Sequence, residues 1–197
     1  RPSMVDVAFA DGRAVPSLLL WTAWFASLLL LYLLLNWLPL LLVGLGLPPA
    51  RAALAQVIFN LLGALGAIVV GTRLDGSSRT WAVAAAFGAL VASLFVLARV
   101  DVGWVVLLVG AVGFAMQAAQ ATVFALGPAC YPSAVRGTGV GMAIGAGRLG
   151  SITGPMLAAS LLGAGQSAAG VLTSIAPIAA VAAICAVALS ATLHRRA

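Results

Sequence analysis

Residues 14–50 read AVPSLLLWTAWFASLLLLYLLLNWLPLLLVGLGLPPA, 37 consecutive positions without a charge. A helix needs about 20 apolar residues to cross the hydrocarbon core of a bilayer, and inside lipid only a helix or a closed barrel satisfies its own backbone. The stretch is long and Leu-rich and shows none of the period-two alternation of a barrel strand. It predicts a membrane-spanning helix.

The same pattern continues on the carboxyl-terminal side. Charge-free runs of 21, 19 and 34 residues separate Arg51 from Arg73, Arg79 from Arg99 and Asp101 from Arg136. Of the 197 residues, 63% are hydrophobic and 7% charged, against roughly a quarter charged in an ordinary soluble domain. That leaves too little polar surface to cover a globule, which excludes a soluble enzyme, and a chain this apolar is no disordered segment. Cys130 and Cys185 are too few for a disulfide scaffold and read as free thiols. The net charge of +6 comes from scattered Arg rather than a basic patch, so no nucleic acid partner is expected. The fold class is an all-α membrane protein with spans at about 17–43, 52–72, 80–98, 103–128, 136–163 and 169–194. Residues 1–16 precede this bundle as a cytoplasmic segment and 195–197 follow as a cytoplasmic tail.

Cytoplasmic loops carry an excess of positive charge. With the amino terminus inside, the inner face holds Arg1, Arg13, Arg73, Arg79, Arg136, Arg195 and Arg196, and the outer face only Arg51 and Arg99. Both termini are therefore expected in the cytoplasm of a cell bounded by an inner membrane. A first residue of Arg suggests a piece of a longer protein, and no cleavable targeting segment is visible.

Six spans divide into two triplets whose middle members are glycine-rich: Gly63, Gly66 and Gly71 in the second span, and many more in the fifth. This hints at a 3+3 inverted repeat. In RGTGVGMAIGAGRLGSITGP, residues 136–155, Gly137, Gly141 and Gly145 recur every four positions, as do Gly150 and Gly154, a spacing that lets helices approach closely. Pro155 removes a backbone donor and predicts a flexible point. GAGRLG matches a dinucleotide fingerprint by letter only, because no strand precedes it and no acid follows Asp101.

Arg148 lies 12 residues beyond Arg136, roughly 18 Å into a core about 30 Å thick. A cation there costs about 2.5–3.5 kcal/mol and should face the bundle interior with a partner. The candidates are an acid outside this chain, backbone carbonyls, or an anionic ligand, whose carboxylate the planar guanidinium would bind in bidentate fashion. Tyr32, Asn36, Trp37, Gln56, Asn60, Gln117 and Gln120 also fall within spans. Gln56 with Asn60, and Gln117 with Gln120, share helical faces and could line a cavity with Arg148 or bond between helices. Trp21, Trp24, Trp81 and Trp104 lie near span ends and read as interface anchors. One His, at the carboxyl end, leaves no catalytic constellation and no metal site.

YPSAVRGTGVGMAIGAGRLGSITGP, residues 131–155, resembles the stretch entering the eleventh helix of major facilitator superfamily transporters, most nearly those of the aromatic acid:proton symporter family. FADGRAVPSLLLW at 9–21, LYLLLNWLPLLL at 31–42 and GTRLDGSSR at 71–79 agree in order. The resemblance implies the carboxyl-terminal six-helix half of a twelve-helix transporter, with the amino-terminal half missing and residues 1–16 as the end of the linker between halves. It implies proton-coupled uptake of a small aromatic carboxylate by alternating access, with no cofactor and the proton as coupling ion. Arg148 would hold the carboxylate, and Tyr32, Asn36, Trp37, Asn60, Gln117 and Gln120 would surround the ring. Gly71, Asp75 and Arg79, with Arg136, resemble the cytoplasmic gating latch, although Gly76 and Ser78 depart from the usual pattern. Met142 stands where a Trp is common. A transporter of another solute, such as an aliphatic acid or a drug, and a free-standing six-helix channel or assembly protein are the alternatives.

Overall fold

The computed structural model describes residues 3–73 and 79–194. They form a short helix α1 (Met4–Phe9) and six long ones: α2 (Ala14–Gly44), α3 (Pro49–Gly71), α4 (Arg79–Leu97), α5 (Val105–Ala129), α6 (Arg136–Gly163) and α7 (Ala168–His194). No strand occurs among the described residues. By length and composition, α2, α3, α4, α5 and α7 are each able to cross a membrane. The sixth helix, α6, is less apolar because its 28 residues include Arg136, Arg148 and eight glycines. It still extends about 42 Å, well beyond the hydrocarbon thickness. Helices α2 and α6 end alike: Gly46 (φ +97°) and Gly165 (φ +81°) take the left-handed conformation. The amides of Leu47 and Gln166 then reach back to the carbonyls of Leu42 and Leu161, closing Schellman caps.

The packing is crossed rather than sequential. Helix α2 seats mainly on α6 and α3 mainly on α5, while α2 also meets α7, α4 meets α5, and α4 meets α7. Contacts inside the triplets α2–α4 and α5–α7 are sparser. Exchanging the triplets converts every one of those pairs into another of the same set, which is the signature of an inverted repeat.

Glycine makes both principal seams possible. A methyl group on Gly150 or Gly154 of α6 would strike the carbonyl of Phe25 or Leu29 on α2. A methyl on Gly66 of α3, or on Gly113 of α5, would strike the carbonyl of Phe114 or Phe59. Such close backbone approach supplies the dispersion contacts that hold helices together where no hydrophobic drive separates protein from lipid. The two seams correspond residue for residue. Gly63-Ala64-Leu65-Gly66 on α3 matches Gly147-Arg148-Leu149-Gly150 on α6, with glycines buried and the two residues between them exposed in each case. Gly63 faces Gly113 and Gln117, and Gly147 faces Trp24 and Leu28.

Not every expected glycine contact forms. Gly137, Gly141 and Gly145 lie on the opposite side of α6 with nothing within 4 Å of the place a Cβ would occupy. Helix α6 also continues through Pro155 to Gly163 without interruption.

The segment before α2 is docked onto the bundle. Ser3 and Asp6 form a reciprocal capping box at the start of α1, and this holds the exposed Asp6 carboxyl below its ordinary pKa. Val7 and Ala8 are buried. The buried Arg13 donates from Nε to the Val7 carbonyl at 3.0 Å and from its terminal nitrogens to the Asp6 carbonyl at 2.9 Å and the Asp11 carboxylate at 2.8 Å. Ser17 Oγ donates to the Ala8 carbonyl at 2.8 Å and accepts from the Tyr131 hydroxyl at 3.1 Å, so one buried chain of bonds ties α1, α2 and the α5–α6 connection together.

Candidate binding site

A cavity of about 360 Å³ opens between α2, α5 and α6. Its wall consists of Trp24, Leu28, Leu31 and Tyr32 from α2, Gln117, Gln120 and Phe124 from α5, and Ile144 and Arg148 from α6. The Gly147 and Gly150 contacts hold α6 against α2, and the exposed Arg148 between these glycines lines the cavity. Among the described residues the one ion pair is Arg13 with Asp11, and Arg148 has no acidic partner.

Trp24 sets the floor of the site. It is 1% exposed, its indole N–H donates to the Val123 carbonyl at 3.2 Å, and its ring meets Phe124 edge-on with centroids 4.6 Å apart. The reading of Trp24 as an interface anchor is therefore corrected: it is an interior wall residue whose polar atom is satisfied across the bundle. Trp81 and Trp104 are 76% and 63% exposed, as anchors would be.

Arg148, Tyr32, Gln117 and Gln120 are thus brought to one cavity, whereas Asn36, Trp37 and Asn60 do not line it. Asn36 and Asn60 are exposed and return their amide N–H groups to the carbonyls of Tyr32 and Gln56 on their own helices, at 2.7 and 2.8 Å. Gln120 differs from them. It is 5% exposed, and neither its Nε2 nor its Oε1 has a hydrogen-bond partner among the described residues.

Of the residues resembling a gating latch, Gly71 ends α3, and Arg136 opens α6 with its Nε directed at the Tyr131 carbonyl, 3.4 Å away. Asp75 and the side chain of Arg79 lie outside the described residues. The apolar wall of Trp24, Leu28, Leu31, Phe124 and Ile144 was not singled out from sequence. In helices that are Leu-rich or Ala-rich all round, nothing in the residue types marks which side faces inward.

Chemically, the arrangement offers a cation, two amides and a phenol around a space bounded by aromatic and aliphatic surface. It can take a flat, apolar body with an anionic group at one edge and polar substituents elsewhere.

No family model matches the chain. The chain is 38% identical over 170 residues to the 3-(3-hydroxy-phenyl)propionate transporter of Escherichia coli, which covers 86% of this chain and 42% of that protein. It is 39% identical over 160 residues to the gallate transporter of Pseudomonas putida, covering 80% and 35%. It is 33% identical over 180 residues to a 4-hydroxybenzoate transporter of Pseudomonas aeruginosa, covering 89% and 40%. The chain spans about two fifths of the length of these curated relatives. With six long helices in a crossed repeat, it is an integral membrane protein with the architecture of half of a major facilitator superfamily fold, and over most of its own length it is similar to these aromatic acid transporters.

Proposed function

We propose that this chain is the carboxyl-terminal half of a secondary transporter that moves small aromatic carboxylates across the inner membrane by alternating access, coupled to protons. One observation carries the reading: an intramembrane guanidinium without an acidic partner lines a cavity walled by Trp24, Tyr32 and Phe124. The carboxylate of the solute neutralises Arg148 through two parallel N–H···O bonds, and the ring lies against the aromatic and leucine wall. Gln117 and Tyr32 border the remainder of the ring.

Supporting the twelve-helix reading, α3 and α6 present exposed apolar faces, Leu61, Leu65 and Ile68 on one and Leu149, Ile152 and Met156 on the other. A second six-helix bundle laid against them would close the open side of the cavity. Rocking of the two bundles about this midplane site would expose it to each side in turn. The proton-carrying acid would belong to that other bundle, because no acidic residue falls within the long helices of this one. The excess of Arg on one side supports cytoplasmic termini.

Uptake into proteoliposomes of the full-length protein tests the reading. Benzoate-type acids should accumulate with an imposed inward proton gradient, and Arg148→Gln should abolish accumulation while the protein remains folded. Accumulation of uncharged benzamides at the same rate would refute the carboxylate clamp, and transport indifferent to the proton gradient would refute the coupling.

A further inference from the structure

We infer that Gln120 reads a hydroxyl group on the ring of the solute, so that the site selects hydroxylated aromatic acids over the unsubstituted acid. This rests on Arg148 as the carboxylate clamp and adds the determinant at the other edge of the ring.

The argument starts from satisfaction. A buried amide carries two donor hydrogens and an acceptor oxygen, and leaving them unpaired costs free energy that native proteins normally avoid. Ser27 and Thr122 avoid it locally by bonding to the carbonyls of Trp24 and Ala119, as Asn36 and Asn60 do to theirs, whereas Trp21 and Gln56 each leave one buried atom unpaired among the described residues. Gln120 is the buried side chain whose two polar atoms both remain unpaired among the described residues, and it lies in the cavity wall. A phenolic hydroxyl complements it on both counts, donating to Oε1 and accepting from Nε2.

Helix register gives the distance. Trp24 fixes a common level for three helices, since its indole bonds to the Val123 carbonyl and its ring packs where a Cβ on Gly147 would sit, 3.1 Å away. Arg148 is one residue beyond Gly147. Gln120 is three residues from Val123 on α5, which runs the opposite way, so both lie on the same side of that level. At about 1.5 Å per residue their axial offset is roughly 3 Å, against roughly 7.5 Å between Arg148 and Gln117. Arg148 and Gln120 therefore line the cavity at nearly the same depth, from α6 and α5.

A site that pairs a buried polar group with a substrate hydroxyl rejects the analogue lacking it, because binding that analogue seals the group away unpaired. Equilibrium binding to the full-length protein, followed by tryptophan fluorescence, provides the test. The probes are 3-hydroxybenzoate, 4-hydroxybenzoate, benzoate and the corresponding methoxy acids. On the unaltered protein one of the hydroxy acids should bind at least tenfold more tightly than benzoate. Its methoxy counterpart, which cannot donate, should lose most of that advantage. Gln120→Met should bring the hydroxy acid and benzoate within about twofold of each other. Equal binding of benzoate by the unaltered protein, or a preference that survives in Gln120→Met, would overturn the inference. The ligand series decides the matter even if the variant does not fold. Arg148→Gln separates the two readings: if it weakens the hydroxy acid and benzoate by the same factor, the clamp stands whatever the result at Gln120. Unchanged affinity for both acids in that variant removes the clamp itself.

Discussion

GALG at residues 63–66 and GRLG at 147–150 occupy matching places in the two triplets, with the same burial pattern and the same glycine-mediated approach to a partner helix. One is a packing seam. The other is a packing seam with a guanidinium on its free side, where Ala64 stands in the first. The repeat therefore supplies the geometry twice and the charge once, and the candidate site lies where the copies diverge. Divergence continues across the seam: Gly147 is received by Trp24 and Leu28, whereas Gly63 is received by Gly113 and Gln117. The bulky aromatic on one side forms cavity wall, and the small residue on the other lets two helices close up.

If the seams are equivalent in packing, Gly66→Ala and Gly150→Ala should each destabilise the folded protein by about 3 kcal/mol, the upper range for overpacking against backbone. Gly88→Ala should be neutral or stabilise by about 0.5–1 kcal/mol, because Gly88 has open space around it and Ala is the better helix former. Thermal unfolding in detergent of all three variants checks this. A tolerated Gly150→Ala beside a damaging Gly66→Ala would break the correspondence.

The seams should differ in binding. Replacing Arg148 with Gln removes charge-assisted bonds of about 1.5–3 kcal/mol, an expected loss of roughly 10- to 150-fold in affinity for an aromatic acid. Ala64→Gln should change affinity by less than about twofold. Isothermal titration with 4-hydroxybenzoate reads both, and comparable losses would mean that the two places are not functionally distinct.

The ends of the repeat differ too, since α1 precedes α2 and packs on both α2 and α6, whereas only a short turn at Val102–Trp104 precedes α5. Tyr131→Phe deletes the buried bond to Ser17 and should cost about 1 kcal/mol. The smallest effect belongs to Asp6. Its pKa lies below the ordinary carboxylate value through its bonds to Ser3, so the stabilisation is complete above that ordinary value and fades as pH falls through the depressed one. Amide protection in α1, taken relative to the intrinsic exchange rate at each pH, should be constant near neutrality and fall only under strong acid; Asp6→Asn should remove that acid dependence.

The membrane fold was legible because absence of charge over 37 residues admits few physical explanations. Arg148 was legible for the converse reason, as a costly residue stands out where all others are cheap. Trp24 and Phe124 were not, since lipid and protein interior favour the same side chains and α2 has no polar face to orient it. Glycine spacing misled at Gly141 and Gly145 because a four-residue recurrence marks a face without saying what lies opposite. The pairing of GALG with GRLG needs coordinates, as four letters in glycine-rich helices are too little to align.

The crossed packing also has a temporal consequence. Phe25 and Leu29 complete their close contacts with Gly150 and Gly154, about 125 positions later in the chain. At about 5–20 residues per second, α2 emerges from the ribosome roughly 6–25 s before its main partner exists. During that interval its seam must be sheltered by lipid or by the insertion machinery, and a slow codon run between α2 and α6 would prolong the exposure.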